Sequence, residues 1–198
     1  GGESVLVTRV TSGSFSSAES TSVINSDTSS SFTLETLSEG DIMNNSGSQS
    51  KGALELGTSD NIRWEVSSVN AQSGQFSLLV RKGNDNNRDK SILETWTNLS
   101  LDPKAENYIE SVIGNSKKVV MNDGGDYYIQ NQGTFRNKSS YIRVKSVSTK
   151  TPDYFDNNGT AKSAFTSSLP IVGSGSFTNA VGAFFNTASA ANFNENVS

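Results

Sequence analysis

Short runs of alternating apolar and polar residues are the main regularity of this chain, and long polar stretches separate them. Residues 4–10, SVLVTRV, set Val5 and Val7 against Leu6 and Val10, which predicts a strand covered on both faces. Residues 11–31, TSGSFSSAESTSVINSDTSSS, hold only Phe15, Val23 and Ile24 as large apolar positions, as a long loop or a weak edge hairpin would. Phe32, Leu34 and Leu37 resume an apolar pattern, and Glu39-Gly40-Asp41 with Asn44 to Ser50 marks another turn. Denser patterning begins near residue 52 with ALELG, then IRWEVSSV (62–69) and QFSLLVRKG (75–83). The last two are joined by Asn70-Ala71-Gln72-Ser73-Gly74, a plausible hairpin connection. After a polar tip, GNDNNRDK (83–90), comes SILETWTNLSL (91–101). These runs predict a meander of antiparallel strands.

The period changes at Asp102-Pro103. Asp102 suits an N-cap, and Pro103 suits the first helical position, where its missing N–H would be unpaired anyway. Ala105, Tyr108, Ile109, Val112 and Ile113 follow at helical spacing, and Gly114 fits a stop. One helix over about 103–113 is therefore expected, docked on the preceding sheet because so short a helix is marginal alone. KKVVMN (117–122), DYYIQNQG (126–133) and SSYIRVKSVS (139–148) read as further short strands, separated by Asp123-Gly124-Gly125 and by residues 134–138. From residue 151 the texture loosens into Gly, Ala and Asn, with Phe165, Phe177, Phe184, Phe185 and Phe193 expected to pack singly. The fold class expected is α+β and predominantly β, an antiparallel meander or barrel-like sheet with long Ser/Asn/Gly-rich loops. Three segments are expected: 1–75, an N-terminal strand with a Ser-rich insertion; 76–150, a central β-α-β block; and 151–198, a loop-rich tail.

Composition changes this picture by removing chemistry. Ser and Asn occupy 56 of the 198 positions, while hydrophobic residues are 33% and mean hydropathy is −0.45. Ser and Asn favour turns and strand ends over helix interiors. A formal charge of −4 with no basic run longer than Lys117-Lys118 argues against nucleic acid as a partner. No stretch approaches the roughly 18 apolar residues of a membrane span. There is no Cys and no His, so disulfides, thiolate chemistry, Cys/His metal sites and His-dependent triads are excluded for this chain. The Gly1-Gly2 start without an initiator Met suggests a processed or recombinant fragment.

The remaining candidate chemistry is thin. Asp85, Asn87 and Asp89 alternate as in a calcium loop, but Lys90 and Trp96 stand where that motif needs Gly and Glu; an exposed hairpin tip is expected instead. Asp153, Asp156 and Asn158 fail in the same way. Glu35/Glu39 and Glu106/Glu110 sit at i,i+4 spacing, yet no supporting constellation marks either pair as catalytic, and Glu106/Glu110 is expected on a helix flank. Gly173-x-Gly175 lacks the partners of a phosphate loop. Trp64, Trp96, Tyr108, Tyr127, Tyr128 and Tyr141 are candidates for a sugar-binding face, although strand and helix positions suit core packing better. No catalytic residue, cofactor or metal site is expected.

Two ordered blocks carry a resemblance. RKGNDNNRDKSILETWTNLSLDPKAENYIESVIGN (81–115) resembles contractile tail sheath proteins of myophages, at Arg81, Leu93, Glu94, Asn98, Leu99, Ser100, Leu101, Asp102, Pro103, Asn107, Tyr108, Ile109, Ile113 and Gly114. GTFRNKSSYIRV (133–144) is similar to a second block of that family, at Gly133, Asn137, Lys138, Ser139, Tyr141, Ile142, Arg143 and Val144. The blocks cover roughly residues 76–145, and the flanks match in texture alone. The resemblance implies a structural role without cofactors: subunits stack as hexameric rings around a tail tube and contract, driving the tube through the host envelope by exchanging one subunit packing for another. It implies a virion location after synthesis in the bacterial cytoplasm. Its implied partners are other sheath subunits, with the tail tube and baseplate met through an inner domain, and the isolated fragment is expected to be monomeric. Asp102, Pro103, Tyr108, Ile109, Gly114, Asn137, Tyr141 and Arg143 are the implied structural motif. The competing expectation is a β-rich carbohydrate-binding or receptor-binding adhesin module.

Overall fold

The computed structural model describes residues 17–20, 23–25, 29–39, 49–50, 53–54, 61–178 and 184–186; the strand expected at 4–10 lies outside them. The elements in chain order are β1 (Ser17–Ser20), β2 (Val23–Ile24), β3 (Ser30–Glu39), β4 (Gln49–Ser50), β5 (Ala53–Leu54), β6 (Ile62–Asn70), β7 (Gln75–Lys82), β8 (Ile92–Ser100), α1 (Ile109–Ile113), β9 (Lys117–Asp123), β10 (Asp126–Gln132), β11 (Ile142–Val147), α2 (Ser163–Thr166), β12 (Gly173–Thr178) and β13 (Phe184–Asn186). The fold is predominantly antiparallel β with little helix.

The main sheet runs β11-β3-β1-β12-β6-β7-β8, with β2 added to β3 and β13 to β12. Every pairing in it is antiparallel. It takes strands from each of the segments 1–75, 76–150 and 151–198. β6, β7 and β8 are the expected meander. Their first turn closes through Gly74 N–H on the Asn70 carbonyl at 2.9 Å, while Asn70 Oδ1 accepts from the N–H groups of Gln72 and Ser73. The barrel-like alternative is corrected: β8 and β11 are the ends of an open order, and no ladder joins them among the described residues. Instead α1 packs against both end strands, so a segment of loop and helix fills the gap that a closing ladder would occupy.

One face of the sheet carries the apolar core. Trp64, Val66, Leu78, Val80, Phe32, Leu34 and Phe177 are all fully buried in one cluster, which Leu99, Leu101, Ile109 and Ile113 extend. On the other face of β6 and β7, the alternate positions Arg63, Glu65 and Arg81 are also buried. Arg63 and Arg81 are direct cross-strand partners, an arrangement of like charges that is unfavourable without compensation. Asp85 compensates it. Its carboxylate accepts from Arg81 Nε at 2.6 Å and Nη2 at 2.9 Å and lies 3.4 Å from Arg63 Nη1. Glu65 accepts from Arg81 Nη1 and from Lys90 Nζ, each at 2.7 Å. Burial, and then the neighbouring Arg81 charge, depress the Arg63 guanidinium to about 10.

The exposed tip expected at 83–90 is therefore corrected for Asp85, which is 5% exposed. The two arginines need an anion on a face that solvent would otherwise reach, and the loop turns back to supply it. Asp85→Asn is expected to cost about 3–5 kcal/mol in urea unfolding, because it leaves Arg63 without its carboxylate and Arg81 with Glu65 alone. Arg63→Met is expected to cost less, since it removes one of the opposed charges and leaves the bonds from Arg81 to Asp85 and Glu65. Equal losses for the two variants would refute the like-charge account.

Candidate functional site

Most of the residues singled out by the two blocks gather where the ends of the sheet approach, while Arg81 sits apart in the ionic layer of β6 and β7. Asp102 and Pro103 do not start a helix. Asp102 Oδ1 accepts from Lys104 N–H and its carbonyl from Ala105 N–H, so the pair opens a turn. α1 begins only at Ile109, with Tyr108 as its N-cap residue in an extended conformation. The reason is a competing strand-like bond: Ser100 N–H donates to the Asn107 carbonyl at 2.9 Å, Ser100 bridges Tyr108 in parallel, and Asn107 Nδ2 donates to the Asn98 carbonyl. Asn107 is thus held in a turn that Tyr108 N–H closes on the Ala105 carbonyl at 3.1 Å, Tyr108 is held in the bridge to Ser100, and a helix cannot run back through them. Glu106 precedes the helix, so the pairing of Glu106 with Glu110 on a helix flank is also corrected.

The five-residue helix is fixed by burial of Ile109 and Ile113. Tyr108 is buried beside Phe135, edge to face at 6.4 Å. Burial, reinforced by the Glu110 charge, pushes its phenol well above the ordinary range. Gly114 does stop the helix, donating to the Glu110 carbonyl at φ 107°. A Cβ there would lie 2.3 Å from Asn137 Cα and 2.7 Å from the Arg136 carbonyl, so only glycine lets the two blocks approach. Asn137 uses that approach to bond Ser116 twice, accepting its N–H at 3.0 Å and donating to its carbonyl at 2.7 Å. The Ile113 carbonyl accepts from Lys138 N–H and the Gly114 carbonyl from Val144 N–H, each at 2.8 Å.

Side chains complete the join. Glu94 on β8 accepts from Ser139 Oγ at 2.6 Å and Ser140 N–H at 2.8 Å, spanning the gap between the end strands. Arg143 lies opposite Glu35 in the β11–β3 ladder and donates to it at 2.6 Å, while Lys117 Nζ donates from the other side at 2.8 Å. Burial pushes the Glu35 carboxyl up, but the hydrogen bonds and charges of Arg143 and Lys117 outweigh it and hold the group below its ordinary 4.5. Tyr141 sits at the rim, exposed, and contributes its carbonyl to Leu37 N–H. Glu35, Glu94 and Asn115 are structural parts of this join that the pattern alone left without a partner; Asn115 Oδ1 accepts from Thr134 and Phe135 N–H.

Little else gathers into chemistry. Among the described residues no group of three or more acidic side chains could hold a metal ion. Asp156 Oδ1 is taken by the N–H groups of Asn158 and Thr160. Gly173 and Gly175 lie inside the ladder between β6 and β13, not at a phosphate loop. A shallow groove of about 360 Å³ runs past Asp102, Asn107, Asp153 and Tyr154, and there Asp153 is paired with Lys104 at 3.3 Å. Core packing holds for Trp64 and Tyr108, but Tyr127, Tyr128 and Tyr141 are exposed by 74%, 50% and 36%. Tyr127 and Tyr128 are consecutive on one strand, so they face opposite ways and do not share a platform for a sugar ring. Comparison with protein-family models, curated proteins and solved structures finds no match to this chain.

Gly114→Ala is expected to lose at least about 3 kcal/mol, combining positive φ with backbone overlap. Gly124→Ala, also at positive φ but in open space, is expected to lose only about 1–2 kcal/mol; thermal unfolding separates the two. For Glu35, a lowered folded pKa means stabilisation present above the unfolded carboxylate range and lost as pH falls through the folded value. Glu35→Gln is therefore expected to be less stable than the parent at pH 7 and to show a shallower loss below about pH 4.5. Unchanged acid dependence in urea titrations at both pH extremes would count against this role.

Proposed function

We propose that this chain forms the middle, protruding region of a contractile tail sheath subunit of a myophage, a structural part of the virion. In this reading it works without cofactor or catalysis, and its partners are other sheath subunits, with the tube and baseplate reached through an inner domain. The observation that carries the reading is that the two resembling blocks, 81–115 and 133–144, meet in the fold through their matched residues. Glu94 binds Ser139, Gly114 admits Asn137, and the Ile113 and Gly114 carbonyls accept from Lys138 and Val144. Residues that match one family only as separate strings of sequence have no need to touch. Here they form one join, which suits a rigid unit that transmits force. Arg81 and Arg143, also matched, are each tied to buried carboxylates.

The expected outcome is that the full-length gene product, purified from its producing cells, forms hollow tubes of stacked rings under the electron microscope. A product that stays as dispersed single subunits, with no inner sheath region encoded beside this one, overturns the proposal.

A further inference from the structure

β9 and β10 form a sheet of their own, joined by Gly124 and Gly125 at positive φ. Their register sets Val120 beside Ile129 and Asn122 beside Tyr127. Val120, Tyr127 and Ile129 therefore share one face, and Tyr128 with Met121 takes the other. These are the most exposed large apolar side chains described: Tyr127 at 74%, Ile129 at 68% and Val120 at 66%. Every residue of β10 is exposed. A two-stranded hairpin with apolar side chains in water is marginal by itself. Yet its root is built to hold it out, through the paired bonds of Asn137 to Ser116, those of Asn115 to Thr134 and Phe135, and the bond from Lys117 to Glu35.

The outer edge of β10 pairs with no strand among the described residues. Its sequence, DYYIQNQ, has neither Lys nor Pro, the usual guards of an exposed edge. High β-propensity and a single charge at its end are what strand-to-strand addition favours. We propose that β10 pairs edge to edge with β10 of a second copy of this chain, antiparallel about a two-fold axis at Ile129, giving a four-stranded sheet. The charges select this arrangement. The hairpin tip carries Asp123 and Asp126, while the root carries Lys118, Arg136 and Lys138 beside Lys117. An antiparallel pair lays each acidic tip along the other's basic root, whereas a parallel pair would crowd four carboxylates together. In this register Asp126 faces Gln132, Tyr127 faces Asn131 and Tyr128 faces Gln130, with no like charges opposed. A seven-residue edge spans only about 24 Å, so the contact is smaller than a standard interface. It is weak between free chains and gains strength where copies are already held near one another.

This contact rests on the hairpin alone and not on the sheath reading. The chain has no Cys, so single substitutions report on it directly. With Ile129 on the axis, the two Cα atoms lie about 5 Å apart, within reach of a disulfide. Val120, equally exposed but on the far strand, would lie about 14 Å from its copy. In a glutathione buffer with the full chain, Ile129→Cys is expected to form covalent dimer at least about tenfold faster than Val120→Cys, whose geometry forbids the bridge. Charge reversal gives a second measure: Ile129→Cys with Asp126→Lys is expected to cross-link several-fold more slowly than Ile129→Cys alone. Equal rates at 129 and 120, or no dimer from either at submillimolar chain, would overturn the edge pairing. Ring-stacked tubes of the full-length product would then still support the sheath reading, so the two failures are distinguishable.

Discussion

Two guanidiniums set opposite each other across β6 and β7 are the constraint from which much of the sheet follows. Arg63 and Arg81 are both fully buried, and neither strand could pair in this register without an anion between them. Asp85 supplies it, with a bidentate grip on Arg81, the stronger form of such a pair. Bringing Asp85 there folds the 83–91 loop over the second face of the hairpin, where Ser91 N–H also donates to it at 3.0 Å. Arg63 reaches onward to Ser174 Oγ on β12 at 3.0 Å, tying a strand from late in the chain to the central hairpin. A slip of one residue would turn Arg81 into the apolar core and Val80 out of it. The ionic layer therefore specifies register, whatever its net contribution to stability. A chain with 33% hydrophobic residues obtains a second buried layer in this way.

The same economy governs the gap between β8 and β11. A closed barrel would need another long ladder. Instead a turn, a one-and-a-half-turn helix and a few backbone bonds carry Leu101, Tyr108, Ile109 and Ile113 into the main core. The close pass of Gly114 against Asn137 makes this possible, since any side chain at Gly114 would force the two segments apart and strip the Ile113 and Gly114 carbonyls of their partners. Burial of the helix, the two hydrogen bonds between Asn137 and Ser116 and the span from Glu94 to Ser139 thus meet at this one approach. Loss of the glycine would be felt at all three.

Much of this was legible in the amino-acid pattern, and what was not has physical causes. The alternation in IRWEVSSV and QFSLLVRK is strong because one face is apolar, so the β6–β7 hairpin and its Asn70–Gly74 turn could be read directly. Gly114 could be read as a stop, but not as a close approach, because the atom it makes room for is distant in the chain. Asp102-Pro103 carried a good helix-start signal, and local propensity lost to the bonds that tie Asn107 and Tyr108 to β8. Asp85 looked like a solvated tip because nothing in the polar 83–90 loop shows that it turns back over Arg81 and over Arg63, 22 residues earlier. Glu35 and Arg143, 108 residues apart, were likewise visible only as separate charges. For that last pair strand order is the hidden variable, and short polar strands encode it weakly.

Beside its ordinary apolar core, the molecule departs from a usual small domain in two places. Four of its buried charges, Arg63, Arg81, Asp85 and Glu65, sit inside with partners, while Val120, Tyr127 and Ile129 stand outside on an arm. Polar residues inside cost free energy unless satisfied, and each of these is held by a specific bond. Apolar residues outside, on a hairpin hydrogen-bonded at its root through Asn115, Ser116 and Asn137, are unfavourable for a chain that stays alone. The root decides the matter, since its bonds at Asn115, Ser116 and Asn137 hold out an arm whose every β10 residue is exposed. The arm is therefore better understood as half of a contact than as a finished surface, and its outer edge, charged only at Asp126, points to strand addition rather than face packing as the way that contact is completed.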